Sequence, residues 1–241
     1  MSSSAAPVAL VTGGSRGIGR AIAVMLARRG YALRLVGRST DQLRTTLDLC
    51  SPVDGGEHRK IVADLSDATA TAGVAEEVIS RDGTLSLLVL NAGIATSASV
   101  EHTSLADWDR IFAVNVRSPF VLAQACIPML RRSSGRIVAI GSVVSKKAYP
   151  NQGAYAASKH ALYGLTKVLA QELHDSGVVV QTVLPGGVAT DLVRTMRPDI
   201  DPRDLIQPED VANAVSACLD QTGAARTDEI SLRRRGKTPF A

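Results

Sequence analysis

Aromatic residues are scarce, with three Phe, four Tyr and one Trp in 241 positions. So few rings give no stacking platform for single-stranded nucleic acid, and no known nucleic-acid module is visible. The only cysteines, Cys50, Cys126 and Cys218, lie far apart. An odd, scattered set makes neither a disulfide framework nor a metal-ligand pattern, so they read as small core or surface thiols. His58, His102, His160 and His174 form no ligand pair, and no metal is expected. No uninterrupted apolar run is long enough to span a membrane. The opening MSSSAAP has no basic region followed by an apolar stretch. No secretory signal is therefore read, and the cytoplasm is the default compartment. Residues 1–6 are expected to form a flexible start.

What is present is apolar bulk, 45% of the residues, enough to bury a substantial core. The net charge of +4 owes much to LRRRGK at 232–237. That segment reads as a solvated strand end and tail, and its charge would also suit a polyanionic cofactor. A nucleic-acid role would instead reveal itself as a steep salt dependence of affinity.

Apolar strand-like runs alternate with helical patterns. Strands are predicted at 8–13, 32–37, 60–65, 84–93, 135–142, 178–187 and 228–235. Helices are predicted at 18–29, 39–49, 104–132, 154–177 and 208–220. Strands separated by helices imply parallel βαβ units, and unbroken β-branched or Leu-rich strands imply a sheet buried on both faces. The expectation is one doubly wound α/β domain over residues 1–241. It would have a seven-stranded parallel sheet, helices on both faces and ligands at the carboxyl ends of the strands.

TGGSRGIG at 12–19 sits directly after the first strand and opens a helix. Gly13 permits a tight turn, Gly17 lets backbone approach a phosphate, and Gly19 lets the helix pack closely. The helix N-terminus offers free N–H groups to an anion. A residue that reads the ribose belongs roughly 20 residues further on, and an NAD site places an acid there. Here LVGRST offers Arg38 and no acid before Asp41. Arg16 and Arg38, with Ser15 and Ser39, suit a 2′-phosphate, so NADP(H) is the expected cofactor. The plain alternative is that both arginines are merely solvated.

In GAYAASKHAL at 153–162, Tyr155 and Lys159 are four apart, so they share a helix face. An ammonium beside a phenol is expected to lower its pKa from about 10. Taken alone, the pair could be a packing tyrosine and a solvated lysine. The glycine loop, Tyr155 and Lys159 together resemble the short-chain dehydrogenase/reductase family. So do Asp64 in ADLSD, Asn91–Gly93 after the fourth strand, Asn115 in AVNV, Ser142 ending the fifth strand and PGGVAT at 185–190. The resemblance runs from Ala6 to about Leu232, and its specificity lies in the joint order and spacing of the motifs.

This resemblance implies hydride transfer between NADP(H) and a small carbonyl or alcohol, with Asn115, Ser142, Tyr155 and Lys159 catalytic. Tyr155 would pass the proton and Ser142 would fix the oxygen. Lys159 would also hold the nicotinamide ribose, and Asn115 a water linking the lysine to solvent. Asp64 and Leu65 would meet the adenine, Asn91 and Ala92 the adenosine ribose, Val188 and Thr190 the carboxamide. Ile18, Gly93, Pro185 and Gly186 complete the cofactor set. The substrate loop would be 191–207, short and poor in aromatics. Its Arg194 and Arg197, and Lys146, Lys147 and Tyr149 near the mouth, are either substrate contacts or solvated charges. The C-terminal strand lacks the Gly-Gly pair of many acyl-reducing relatives and looks more like members acting on small hydroxy acids. Helices 104–132 and 154–177 pair subunits in relatives, which implies a homodimer or homotetramer. A non-catalytic NADP-binding regulator is the alternative, and the intact Ser–Tyr–Lys set argues against it.

Overall fold

A computed structural model describes residues 5–197 and 199–238. In chain order the elements are β1 (Val8–Thr12), α1 (Gly17–Arg28), β2 (Ala32–Gly37), α2 (Thr40–Asp48), β3 (Arg59–Val62), α3 (Ala68–Asp82) and β4 (Leu87–Leu90). There follow α4 (Leu105–Phe112), α5 (Ser118–Ser133), β5 (Arg136–Ile140), α6 (Gly153–Glu172), β6 (Val179–Pro185), α7 (Asp191–Met196), α8 (Pro208–Leu219) and β7 (Glu229–Leu232). All seven strands are parallel in one sheet of order β3-β2-β1-β4-β5-β6-β7. This is the doubly wound Rossmann arrangement the sequence predicts.

Strand alternation explains the two cores. Leu10, Leu88, Leu90, Ile137 and Ala139 point to one face and pack with Val74, Val78, Leu122, Cys126 and Leu169 from α3, α5 and α6. Ala9, Val11, Leu87, Val89, Val138 and Ile140 point to the other, against Ile22, Leu26, Val211 and Val215 from α1 and α8. Successive residues thus serve opposite layers. Both faces are covered, so the strands are apolar along most of their length, and the buried polar residues among them, such as Arg34 and Gln181, are hydrogen-bonded.

Four features differ from the sequence expectation. No element is predicted between the third and fourth strands, yet residues 68–82 form α3, capped by Asp67, whose carboxylate accepts from Ala70 N at 2.7 Å. Its small residues (ATATAG) dilute the apolar stripe. The predicted 104–132 helix is α4 and α5 joined by a π turn over Ala113–Arg117. That whole helical stretch is long and apolar enough to cross a membrane, but half of its most apolar window is buried within the protein. Several strands end earlier than predicted, because the chain must leave the sheet to build the cleft; β1 stops where Gly13 takes φ +67°. Finally, of the expected flexible start, residues 1–4 lie outside the described residues, while Ala6 is pinned by its N–H donating to Gly55 O at 3.1 Å.

Candidate active site

The carboxyl ends of β1, β2, β4, β5 and β6 open into one cleft. Its floor is the glycine turn, with Gly13, Ser15, Arg16, Gly17, Ile18 and Gly19 all lining it. Gly13 and Gly17 both have positive φ, +67° and +53°, which side chains with a Cβ adopt at a cost of about 1 kcal/mol or more. At Gly19 the reason is space, since a methyl there would collide with the Gly13 carbonyl and the Asn91 amide. Asn91 braces the turn by donating from Nδ2 to Thr12 O at 2.8 Å. No side chain caps α1 and its first turn holds no acid. Its positive dipole end is left to an anion entering the cleft.

Toward the other end of the cleft lie Ser142, Tyr155 and Lys159. Ser142 follows β5 and opens a short turn, where its Oγ accepts from Val144 N at 3.2 Å. Tyr155 and Lys159 sit one turn apart on α6, and Lys159 Nζ is 5.9 Å from the Tyr155 ring centre. The residues between them, Ala156, Ala157 and Ser158, keep α6 close to its neighbours. Ser158 is fully buried and donates to Tyr155 O at 2.7 Å. Lys159 is buried and donates to Ile140 O at 2.9 Å. Burial drives its pKa down to about 8. Burial also raises the Tyr155 pKa, with the neighbouring Ser142 hydroxyl pulling it back in part. This corrects the expectation that Lys159 leaves the phenol more acidic than usual. In the protein alone, desolvation of the phenolate dominates.

Asn115 is fully buried in the π turn and is not among the cleft-lining residues. Its Oδ1 accepts from Ile94 N at 2.9 Å, and its Nδ2 donates to Ile94 O at 2.9 Å and Ser158 Oγ at 3.0 Å. It therefore anchors the segment after β4 to α6. A methyl on Gly93 would stand 3.5 Å from Asn115 Oδ1 and 3.6 Å from Lys159 Nζ. The missing side chain at Gly93 leaves these two groups facing a common space.

Along the remaining wall, Asn91, Ala92 and Gly93 follow β4, while Pro185, Gly186, Val188 and Thr190 follow β6. Arg38, Asp64 and Leu65 close the end beyond β2 and β3. Asp64 Oδ1 accepts from Ser66 N at 2.9 Å and Ser66 Oγ at 2.8 Å. These bonds hold its pKa below the usual carboxylate value, helped by Arg38 and Arg110. Arg110 also lines the cleft and had no signal in the sequence beyond its place on a helical pattern. Ser39 does not line it; its hydroxyl is used as the α2 cap, accepting from Gln42 N at 3.3 Å.

The expected substrate loop folds partly as α7, which covers the glycine turn. Thr190 Cγ2 would be 3.1 Å from a Cβ on Gly17. The Arg16 guanidinium pairs with Asp191 at 2.5 Å, so it reaches toward the loop, a partner the sequence did not announce. Of the other charges near the mouth, Arg194 lines the cleft. Arg197 is tied to Asp199 by two bonds of 2.8 and 2.7 Å, and Lys146 pairs with Glu229. Among the described residues no group of three His, Cys, Asp or Glu side chains is arranged to hold a metal.

Fold and cleft together define a class, the open α/β proteins that bind a ligand across the carboxyl ends of a parallel sheet. Residues 7–201 match the short chain dehydrogenase family model. The chain is 37% identical over 209 residues to a D-beta-hydroxybutyrate dehydrogenase of Rhizobium meliloti, covering 86% of this chain and 81% of that one. It is 33% identical over 231 residues to a 3-oxoacyl-[acyl-carrier-protein] reductase of Escherichia coli, covering 92% and 93%. An alcohol dehydrogenase from the archaeon Thermococcus sibiricus, solved with 5-hydroxy-NADP, superposes with a TM-score of 0.88 at 30% identity, over 98% of this chain and 99% of that one. This chain belongs to the short-chain dehydrogenase/reductase family of oxidoreductases.

Proposed function

We propose that the protein interconverts a small carbonyl compound and its alcohol with NADP(H), Tyr155 carrying the proton. The observation that supports this best is the grouping of Ser142, Tyr155 and a buried Lys159 in the same cleft as an uncapped glycine turn. The chain's residues fit a dinucleotide. Gly93 leaves room beside Lys159 that a side chain would fill, the positive φ of Gly13 and Gly17 keeps the turn tight under the cleft, and Arg38 offers a guanidinium where an NAD site would carry an acid. The bound nicotinamide would supply or accept the hydride.

The chain's own groups do the rest. Tyr155, whose pKa burial raises above the ordinary phenol value, donates its proton to the substrate oxygen during reduction. Ser142 donates a second hydrogen bond and fixes that oxygen. Lys159 holds the ribose and brings positive charge toward the phenol when the site fills. Asn115 ties the turn of α6 that carries Lys159 to the segment after β4. Arg38 and Ser15 hold the 2′-phosphate, and Arg16 contributes if released from Asp191. Asp64 and Leu65 receive the adenine, Asn91, Ala92 and Gly93 the adjacent ribose. Ile18, Pro185, Gly186, Val188 and Thr190 enclose the nicotinamide end. Self-association is supported by exposed Leu105, Trp108, Phe120 and Val168 on α4, α5 and α6.

The test follows NADPH and NADH absorbance with small ketones, aldehydes, keto acids and 3-oxoacyl thioesters. Turnover with NADPH is expected, falling about 10²–10⁴-fold in Tyr155→Phe. Arg38→Ala is expected to weaken NADPH more than NADH by about tenfold, the loss of one charge-assisted contact. Turnover that survives Tyr155→Phe would overturn the assignment of the proton carrier. Binding of NADPH with no turnover on any substrate would favour the regulator.

A further inference from the structure

One carboxylate outside the cleft joins the two elements that carry Ser142 and Tyr155. Glu229 opens β7, facing Thr182 of β6 in register. Lys146, at the end of the short turn that Ser142 begins, donates to Glu229 Oε1. Tyr163, two turns after Tyr155 on α6, donates to Glu229 Oε2 at 2.5 Å. Each carboxylate oxygen therefore holds a different element. The turn itself is stiff, since Ser145 Oγ accepts from Ser142 N at 3.2 Å while Ser142 Oγ accepts from Val144 N. The Lys146 N–H closes it on Val143 O at 3.1 Å. The Tyr163 ring is bracketed by the ammoniums of Lys146 and Lys167, each 5.3 Å from its centre. Deeper in, Thr182 Oγ1 donates to Thr166 Oγ1 at 3.1 Å and moors the same helix to β6.

We infer that Glu229 is a positioning residue for the reaction: it sets the Ser142 turn against α6, so that the two hydroxyls converge on one substrate oxygen. This rests on the catalytic reading of Ser142 and Tyr155 above. Partial exposure of Glu229 and Lys146 means the tie adds little to stability, since exposed pairs are worth about 1 kcal/mol or less. Its value is geometric, because a small misplacement of reacting groups can slow a reaction by about a hundredfold. The same pairing removes Lys146 from the candidate substrate contacts.

The experiment compares the full-length parent with Glu229→Ala, Glu229→Gln, Lys146→Met, Tyr163→Phe and Tyr155→Phe. One readout is kcat and KM at saturating NADPH with acetoacetyl-CoA and a small aliphatic ketone. The other is the titration of Tyr155 by ¹³Cζ-tyrosine NMR, with Tyr155→Phe identifying the resonance. Glu229→Ala is expected to lower kcat about tenfold with KM for NADPH unchanged, and to shift the Tyr155 titration. Glu229→Gln retains an acceptor for Lys146 and a donor for the Tyr163 oxygen, and should restore most of kcat. Lys146→Met and Tyr163→Phe should each have a smaller effect, absent in the Glu229→Ala background. A lower Tm with unchanged kcat and an unmoved Tyr155 titration would overturn the proposal, leaving Glu229 a structural residue only. If neither compound turns over, the Tyr155 titration alone decides between these outcomes. Turnover indifferent to Tyr155→Phe would overturn the catalytic reading beneath, and the positioning role with it.

Discussion

The two ends of the sheet treat buried charge in opposite ways. Near the amino ends, Arg34 and Arg59 stand side by side in register on β2 and β3 and share Asp82 at the end of α3. Arg34 donates to both Asp82 oxygens, at 2.9 and 2.6 Å, and Arg59 to one of them. Arg34 also reaches Leu33 O and Glu57 O at 3.0 and 2.6 Å. At the carboxyl end, Lys159 is buried with a single carbonyl partner and no carboxylate in an ion pair among the described residues. Its pKa falls to about 8 as a result. A paired charge anchors structure, whereas an unpaired one remains available to a ligand. The difference singles out the carboxyl end as the one where a buried charge is left open to a ligand, without reference to any motif.

The strongest challenge to this contrast is Asp82→Ala, which leaves two guanidiniums without their acid. Stability in urea should fall by about 3–5 kcal/mol, while turnover per folded molecule stays near that of the parent. An equal loss of turnover would mean that the two ends are not separable. Lys159→Met sharpens the contrast from the other side. A depressed lysine pKa means the unfolded chain binds more protons than the folded one between about pH 8 and 10.5, so the parent gains stability as pH rises through that window. Below pH 8 the buried ammonium costs about 3 kcal/mol. Lys159→Met should therefore raise stability at pH 7 by about 2 kcal/mol while abolishing turnover, and its advantage should shrink above pH 8. The smallest effect is expected at Asp191→Asn. Arg16 and Asp191 are both more than half exposed, so the pair is worth under about 1 kcal/mol and fades in salt. Its loss should leave Tm nearly unchanged, and any change in NADPH affinity should be an increase, from the freed Arg16.

Much of the site was legible because its demands fall on residue type. A turn with positive φ needs glycine at 13 and 17, the proposed proton carrier is recognisable as a phenol at 155, and their spacing survives in the chain. What was hidden depends on packing. The α3 helix has Thr71, Val74, Ala75 and Val78 on its buried face, too slight a stripe among small residues to stand out. The Arg16–Asp191 pair joins positions 175 apart, and the Glu229 tie spans 83 and 66 residues, separations no local pattern reports. The direction of the Tyr155 pKa was misjudged because proximity of Lys159 is visible in sequence and depth of burial is not.

The π turn that holds Asn115 has a consequence for how this chain can change. A π turn takes up one extra residue within a helix and returns the residues beyond it to the faces an unbroken helix would give them. Leu122, Cys126 and Met129 therefore keep their seats under the sheet, while the wider turn aims the Asn115 amide at Ile94 and Ser158. Deleting a single position between 113 and 117 would let the two helices fuse in the same phase, and the loss would fall on that amide. The core can thus absorb a one-residue deletion here that the anchor between β4 and α6 cannot.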